Sequence, residues 1–525
     1  GNKQYTVKRN PEYERKKAMQ KRMSVKQDVR KTFGLELNME HKFKEKNKSI
    51  WSMTTHLPPR DPLPGNLTVE AAVIGAGMAG ILTAYLLQKQ GVDVVVLEAD
   101  QVASGQTKNT TAKITSQHGI IYHDLIKKLG KQKAAAYALA NEAAVRSYGE
   151  IVAEEKIECD FERLPSYLYT TQPSMTAKLE QEAKAASALG IPAHFTQIHG
   201  LPFETVGAVC FEGQAQFHPL AFIKHLSQKV TVYEGTRVLK VKKHMIFTDR
   251  GTVNAGHVIF ASHYPFLNLP GMFFARQHQD RSYVLCLDHP DKLDGMFYSV
   301  DKDGLSLRWI PGALLLGGSS HRTGKNTAGG EYQRLKKAAK QYYPDSRIIA
   351  RWSAQDCMPH DDIPFIGRYS VFRPYWYVAT GFKKWGMTSS MLSAMIIRDL
   401  ICGLESPYAK LFCPQRFHIR ASLPSLLADL GESVVSLTKG AFHLPLRAVD
   451  LKEGHGGIIR IGLKRYACYK DEKGILHKTS ARCPHLGCEL KWNPAERTWD
   501  CPCHGSRFDY DGNLIDNPAQ KGNAF

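Results

Sequence analysis

Two short blocks near the C-terminus constrain this chain more than any other feature: Cys483-Pro-His485-Leu-Gly-Cys488 and Cys501-Pro-Cys503-His504-Gly-Ser506. Each offers one cysteine and one histidine at a spacing that lets both reach one metal centre. Residues 486–500 separate His485 from Cys501, enough chain for two loops to face each other from adjacent hairpins. A structural zinc site and a disulfide scaffold are the competing uses of such residues. Loops of the C-x-H and C-x-x-H type are not the usual zinc finger or ribbon spacing.

The blocks resemble the Rieske family of [2Fe–2S] centres, in which two cysteines hold one iron and two histidines the other. The resemblance implies Cys483, His485, Cys501 and His504 as ligands. Two ferric ions, two sulfides and two thiolates sum to zero charge, so such a cluster accepts an electron more readily than one with four thiolates. In Rieske proteins of cytochrome bc complexes the equivalents of Cys488 and Cys503 form a disulfide, and the equivalent of Ser506 donates to a cluster sulfide. Phe508 departs from that pattern by standing where those proteins carry tyrosine. Loss of a donor to sulfur is expected to lower the potential.

A chain of 525 residues has room for two or three domains. With 43% hydrophobic and 23% charged residues it reads as a soluble globular protein. No run approaches about 18 apolar residues, so no membrane span is expected. The basic, polar start lacks a signal-type apolar segment, which points to the cytoplasm. The other cysteines are scattered and read as reduced thiols. Of the net charge of +20, much lies between Gly1 and Ile50, with 15 Lys or Arg against 6 Asp or Glu. Pro11 to Phe33 reads as a helix that could touch an acidic partner or, peripherally, an anionic membrane. The blander use is an arm wrapping its own protein. No aromatic-and-basic interleaving follows, so no nucleic acid is expected. Leu57 to Gly65 is Pro-rich and reads as a linker.

Beyond it, Val69 to Ile74 reads as a buried strand, followed by Gly75-Ala-Gly77-Met78-Ala79-Gly80 and a helix from Ile81 to Gln90. Gly91 stops the helix, and a second strand, Val92 to Leu97, ends at Glu98. This is the dinucleotide-binding βαβ unit in full context. Gly75 makes the turn, Gly77 admits a pyrophosphate, and Gly80 allows helix and strand to pack closely. Glu98 is placed to accept from ribose hydroxyls. NAD and FAD share this fingerprint.

Further segments resemble FAD-dependent enzymes of the glycine/D-amino-acid oxidase family. Ser104-Gly105-Gln-Thr107 stands where that family's loop passes the flavin diphosphate. Val232 to Val241 resembles the strand that offers Val238 to the adenine, and Val258 to Ala261 the later strand ending beside the cofactor. Ile363-Pro-Phe-Ile-Gly367 and Gly381-Phe-Lys-Lys-Trp-Gly386-Met387-Thr388 resemble the closing motif, whose turn opens a helix aimed at the flavin. The resemblance implies FAD, with Met78, Ala79 and Ala99 beside it, and it runs from about Val69 to Phe412. It is closest to a bacterial subgroup that carries a C-terminal Rieske domain.

The implied fold is α/β. A Rossmann-like FAD-binding domain (68–110, 205–270 and 345–412) is interleaved with an α+β substrate domain (111–204 and 271–344). An extension (1–50) and a linker (51–67) precede it, and a second linker (413–444) leads to a small all-β Rieske domain (445–525).

On the substrate side, Asp356 falls near the position where amino-acid oxidases of this family carry a carboxylate-binding arginine. An acid there would repel a carboxylate and attract an amine; an ion pair with Arg351 is the structural alternative. Lys113 and His118 lie on a segment expected to pass the flavin, and Lys384 is expected near its pyrimidine. Cys357 reads as a buried inert thiol. The function implied is dehydrogenation of a small, amine-type substrate, with single electrons relayed through the cluster. The acceptor would be an external carrier (quinone, cytochrome or ferredoxin-like protein) docking near His485 and His504, expected at a solvent-facing tip. Two alternatives stay open: a reductase taking electrons in through the cluster, and an oxygen-reducing amine oxidase whose Rieske domain is a docking module. A homo-oligomer is compatible with all three.

Overall fold

The computed structural model describes residues 47–289, 291–416, 451–462 and 464–524. The expected helix from Pro11 to Phe33 and most of the second linker lie outside the described residues.

Strand Leu67–Ile74 is buried along its second half, because helices and strands cover both faces, and it therefore reads as a continuous apolar run. It pairs in parallel with Val94–Leu97 and Thr252–Phe260. Thr231–Tyr233 and Arg373–Thr380 extend the parallel sheet on either side, and the hairpin Val238–Lys242 with Met245–Thr248 caps one edge. Helix Met78–Lys89 is apolar almost all round, since it lies between this sheet and helix Gly386–Cys402.

A second sheet has eight strands in the order Ile348–Pro359, Gln277–Asp288, Ala313–Arg322, Ser306–Ile310, Met296–Ser299, Ser166–Thr170, Gly207–Phe211, Ala193–Thr196. Its members correct the domain boundaries expected at 205 and 345. Gly207–Phe211 and Ile348–Pro359 are hydrogen-bonded into this sheet rather than the parallel one. Each strand continues the domain that precedes it in the chain, so the crossing falls later than expected and no composition change marks it.

The first linker is also corrected. Ser49 caps helix Ile50–Thr54, Trp51 is 2% exposed, and its indole N–H donates to the Thr110 carbonyl at 2.7 Å. Leu63 is buried too. The prolines here shape a packed segment rather than a free tether.

The C-terminal region is all-β. One antiparallel sheet holds His455–Ile461, Lys464–Lys470 and Leu476–Ser480; another holds Lys491–Asn493, Thr498–Asp500, Arg507–Asp509 and Leu514–Asp516. The two Cys/His blocks occupy the connections after Leu476–Ser480 and after Thr498–Asp500.

Candidate functional site

A cavity of about 810 Å³ is lined from both large sheets. At its floor the βα turn is forced by contact. Gly75 has φ +106°, and a Cβ there would lie 2.7 Å from the Ala261 carbonyl oxygen. A Cβ on Gly80 would lie 1.9 Å from the Gly75 carbonyl oxygen, so Gly80 packs beneath the turn and does not border the cavity. Gly77, Met78 and Ala79 border it at the helix N-terminus, where unpaired N–H groups favour an anion. The Thr107 hydroxyl accepts from the Met78 N–H at 3.0 Å and ties the next loop to this terminus. Ala99, Ser104 and Gly105 continue that wall, and Val238 and Ala261 face them.

Glu98 closes the second strand as expected. Its carboxylate accepts from the amides of Ala76 at 2.8 Å and Asp100 at 2.9 Å. Burial pushes it above the usual carboxylate range, against the pull of those amides. An oxygen so held can accept from ribose hydroxyls. Gly386 and Met387, at the start of helix Gly386–Cys402, also border the cavity.

Three expected cofactor contacts are corrected along with His118, because none of them borders the cavity. Gly367 faces Pro414 and Leu400. Gly381, with φ +75°, packs on the Gln277 side chain. The Thr388 hydroxyl donates to the Thr115 carbonyl at 2.7 Å and stays inside the core. His118 is 4% exposed, held between the Tyr137 hydroxyl at 2.6 Å and the Thr115 carbonyl at 2.8 Å, and stacked on Trp385. Burial pushes its imidazole down to about 3, which leaves it neutral and structural.

Lys113, Asp356 and Lys384 do border the cavity. The Lys113 ammonium donates to the Ser306 hydroxyl at 2.6 Å, and burial, with Arg308 nearby, pushes it down to about 7. Asp356 is half-buried because it borders the cavity, yet the surrounding wall withdraws it from bulk water and pushes it up to about 7. Its register partner across the sheet is Asp280, whose carboxyl His278 holds down despite burial. Two neighbouring acids are thus driven apart in acidity. Lys384 donates to Ser320. Arg351 turns instead to Asn47 and the Tyr332 ring. Cys357 is 1% exposed and does not border the cavity; burial keeps its thiol neutral.

The two metal-block loops have one construction. In each, the cysteine carbonyl accepts from a glycine N–H at 2.9 Å, Gly487 on Cys483 and Gly505 on Cys501. Those glycines have φ +81° and +82°, a conformation that favours glycine. Cys488 and Cys503 form a disulfide, which removes both from the ligand set although the Cys501 thiol lies close to them. Cys483 and Cys501 are free, buried and in mutual contact; the hydrogen bond from Cys501 draws the Cys483 thiol down. The His485 and His504 rings stand 4.9 Å apart and nearly perpendicular. His485 Nε2 meets the Asn268 side-chain oxygen at 2.7 Å, while its buried Nδ1 makes no hydrogen bond. A histidine oriented through one nitrogen with the other left bare fits a metal ligand. The Ser506 hydroxyl accepts from the Ala519 N–H at 3.0 Å, and Phe508 is fully buried beside the cysteines.

These loops do not point to open solvent. The Gln279 side-chain amide donates to the His504 carbonyl at 2.7 Å, and that of Gln355 to the Gly505 carbonyl at 2.8 Å. Asn517 donates to the carbonyls of Ser262 at 2.7 Å and Tyr264 at 2.8 Å. His504 is 7% exposed with Phe274 edge-on to it, which corrects the expected solvent-facing tip for that ligand; His485 is half-buried, and Leu486, 45% exposed, is the most exposed residue of these loops. Residues 514–517 form part of the wall of the large cavity. Motif reading assigned no role to Gln279, Gln355 or Asn517, since their partners lie far away in the chain.

Cys488→Ser should destabilise the C-terminal region by ~3 kcal/mol, the cross-link value for a sequence separation of 15. Calorimetry would show a lower Tm for that transition, and iron would be lost faster to a chelator. Unchanged values for both would show that the disulfide does not brace the loops.

The family described as FAD dependent oxidoreductase (DAO) matches residues 70–400, and the Rieske [2Fe-2S] domain matches residues 444–524. The protein YhfW of Bacillus subtilis (strain 168), named as a Rieske 2Fe-2S iron-sulfur protein, is 36% identical over 501 residues, covering 92% of this chain and 98% of YhfW. The chloroplastic cytochrome b6-f complex iron-sulfur subunit of Fritillaria agrestis is 27% identical over 188 residues, covering 35% of this chain and 72% of that protein. Among solved structures, glycine oxidase from Geobacillus kaustophilus is similar in fold, with a TM-score of 0.57 at 18% identity, covering 67% of this chain and 99% of that one. The phosphate-accepting turn with Glu98 suits FAD, and the paired thiols and imidazoles suit the cluster. The chain belongs to the DAO family of FAD-dependent oxidoreductases and carries a C-terminal Rieske [2Fe-2S] domain.

Proposed function

We propose that this enzyme dehydrogenates a small amine-type substrate in the large cavity and delivers the electrons singly, through its Rieske domain, to an external carrier. When bound, FAD accepts a hydride and the cluster accepts one electron at a time, so the pair converts two-electron chemistry into one-electron traffic. The observation that carries this is the shared wall: residues 514–517 of the Rieske domain border the same cavity as Gly77 and Asp356.

The side chains have separable tasks. Asp356, ionised, attracts an ammonium and turns away a carboxylate. Lys113, neutral above about pH 7, can take up the proton that an amine releases. The first turn of helix Gly386–Cys402 presents its positive end to the cavity. Lys384 adds a positive charge at the rim.

In an anaerobic screen of small amines and amino acids, a substrate should bleach the flavin absorbance and then raise the reduced Rieske signal in the same chain. His504→Ala should abolish only the second event. A reduced signal that never follows bleaching in the intact chain would refute the relay.

The acidity of Asp356 makes a second expectation. Its pKa is raised to about 7, so attraction for an ammonium is present above that pH and lost as pH falls through it. Because Lys113 must also be neutral, kcat/KM should drop about a hundredfold per pH unit on the acid side. Asp356→Asn should leave only the shallower Lys113 limb, about tenfold per pH unit, and lower kcat/KM above it. An identical pH profile in the variant would exclude Asp356 from recognition.

A further inference from the structure

The cavity and the metal loops are joined by two side chains that the chemistry above does not use. Gln355 borders the cavity, and Gln355 and Gln279 are each 1% exposed. Every polar atom of the pair is engaged in one direction. Arg281 donates to the Gln355 oxygen at 3.1 Å, the Gln355 amide donates to the Gln279 oxygen at 2.8 Å and the Gly505 carbonyl at 2.8 Å, and the Gln279 amide donates to the His504 carbonyl at 2.7 Å. Packing around this chain is tight. A Cβ on Gly505 would lie 2.7 Å from the Gln279 Cβ, and a Cβ on Gly324 would lie 2.7 Å from Pro502.

We propose that the Gln355–Gln279 amide pair is the coupling element between the flavin cavity and the Rieske loop, a pair of positioning residues that sets how fast single electrons cross and how readily the cluster accepts them. The inference rests on the relay proposed above. Aligned hydrogen bonds polarise one another, and here the sequence begins at a guanidinium and ends on the carbonyl of a ligand residue. The positive ends of both amides thus face the Rieske loop, which favours an added electron there. A loop held by buried hydrogen bonds and contacts this close also needs no domain movement before each crossing. The step balances simply. One electron passes from substrate-reduced flavin to one ferric iron, and no covalent bond forms or breaks. Two crossings empty the flavin, its proton leaves to water, and an external one-electron oxidant, a redox protein, collects each electron in turn.

The test uses the full-length protein with FAD and cluster bound, in wild type, Gln279→Met, Gln355→Met and the near-isosteric Gln355→Glu, which exchanges the amide donor for a carboxylate beside Arg281. A light flash with EDTA reduces the bound flavin, absorbance follows arrival of the electron at the cluster, and a separate titration gives the cluster potential. The expected result is transfer at least about tenfold slower in each variant, the scale of one buried hydrogen bond lost, with a lowered potential and unchanged FAD and iron content. If the methionine variants lose iron, Gln355→Glu alone decides. Wild-type rate and potential in Gln355→Glu would overturn the coupling role while leaving the relay intact. No electron reaching the cluster in the wild type would overturn the relay, and the coupling with it.

Discussion

A Glu496→Leu chain should hold its Rieske domain on the flavin domain less firmly by about 3–5 kcal/mol, the usual cost of stranding one partner of a buried ion pair. Glu496 is the shared acid of a charge cluster at the domain junction. It meets Arg281 of the flavin-side sheet at 2.7 Å and Arg507 of its own domain at 2.9 Å. Arg281 is 1% exposed, and its other carboxylate neighbour, Asp516, stands at 3.7 Å. Burial works against the charge on Arg507, but Glu496, Asp500 and Asp516 outweigh it and keep the guanidinium protonated. Losing Glu496 leaves Arg281 buried beside neutral groups and one distant acid. Hydrogen exchange should rise in Gln277–Asp288 and in Leu514–Asp516 together, and limited proteolysis should release the C-terminal domain. The Arg281→Met, Glu496→Leu double variant should recover part of the loss, because apolar replacement of both partners is often near neutral. Wild-type exchange in both strands of the single variant would show that the cluster contributes nothing to docking.

Gly80→Ala should strip the enzyme of FAD. Its added Cβ would lie 1.9 Å from the Gly75 carbonyl oxygen and 3.0 Å from the carbonyl carbon, both backbone atoms that no rotamer change can clear. Helix Met78–Lys89 must therefore back away from the turn, taking the Gly77 and Ala79 N–H groups off the phosphate position. Overpacking of this kind costs about 1–3 kcal/mol, and more where backbone must move, so FAD affinity should fall at least tenfold, about 1.4 kcal/mol. Flavin per chain after gel filtration gives the answer, with circular dichroism to confirm that the sheet persists. Full flavin content in the variant would mean that the turn relaxes without moving the helix.

What could be read from the sequence alone shares one property: each signal is local. The ligand blocks, the glycine turn with Glu98 and the helix after Trp385 are set by spacing within a few residues, where a backbone conformation or a short reach between side chains restricts the choice. Gly487 and Gly505 illustrate this, each supplying a positive φ that closes a cysteine loop. The candidates that failed had the right chemistry and no local determinant. His118 lies only a few residues beyond Lys113, yet its ring turns into the core onto Tyr137 and Trp385 while the Lys113 ammonium reaches the cavity. Gly367 belongs to a recognisable motif but faces Pro414.

Only the tertiary structure decided where the Rieske domain sits and what that does to the site. Gln279 and His504 are 225 residues apart in the chain, Gln355 and Gly505 are 150 apart, and Asp280 meets Asp356 only through strand pairing. Such contacts depend on how two folded surfaces match, and a glutamine bound for an interface carries no periodicity, turn or cap to distinguish it from any other buried glutamine. The sequence by itself determined which cofactors this protein can hold, because each needs a fixed local set of donors and a fixed turn. Their placement around one cavity, with the histidine loops turned inward, came from packing between domains, where burial and charge pairing act across the whole chain.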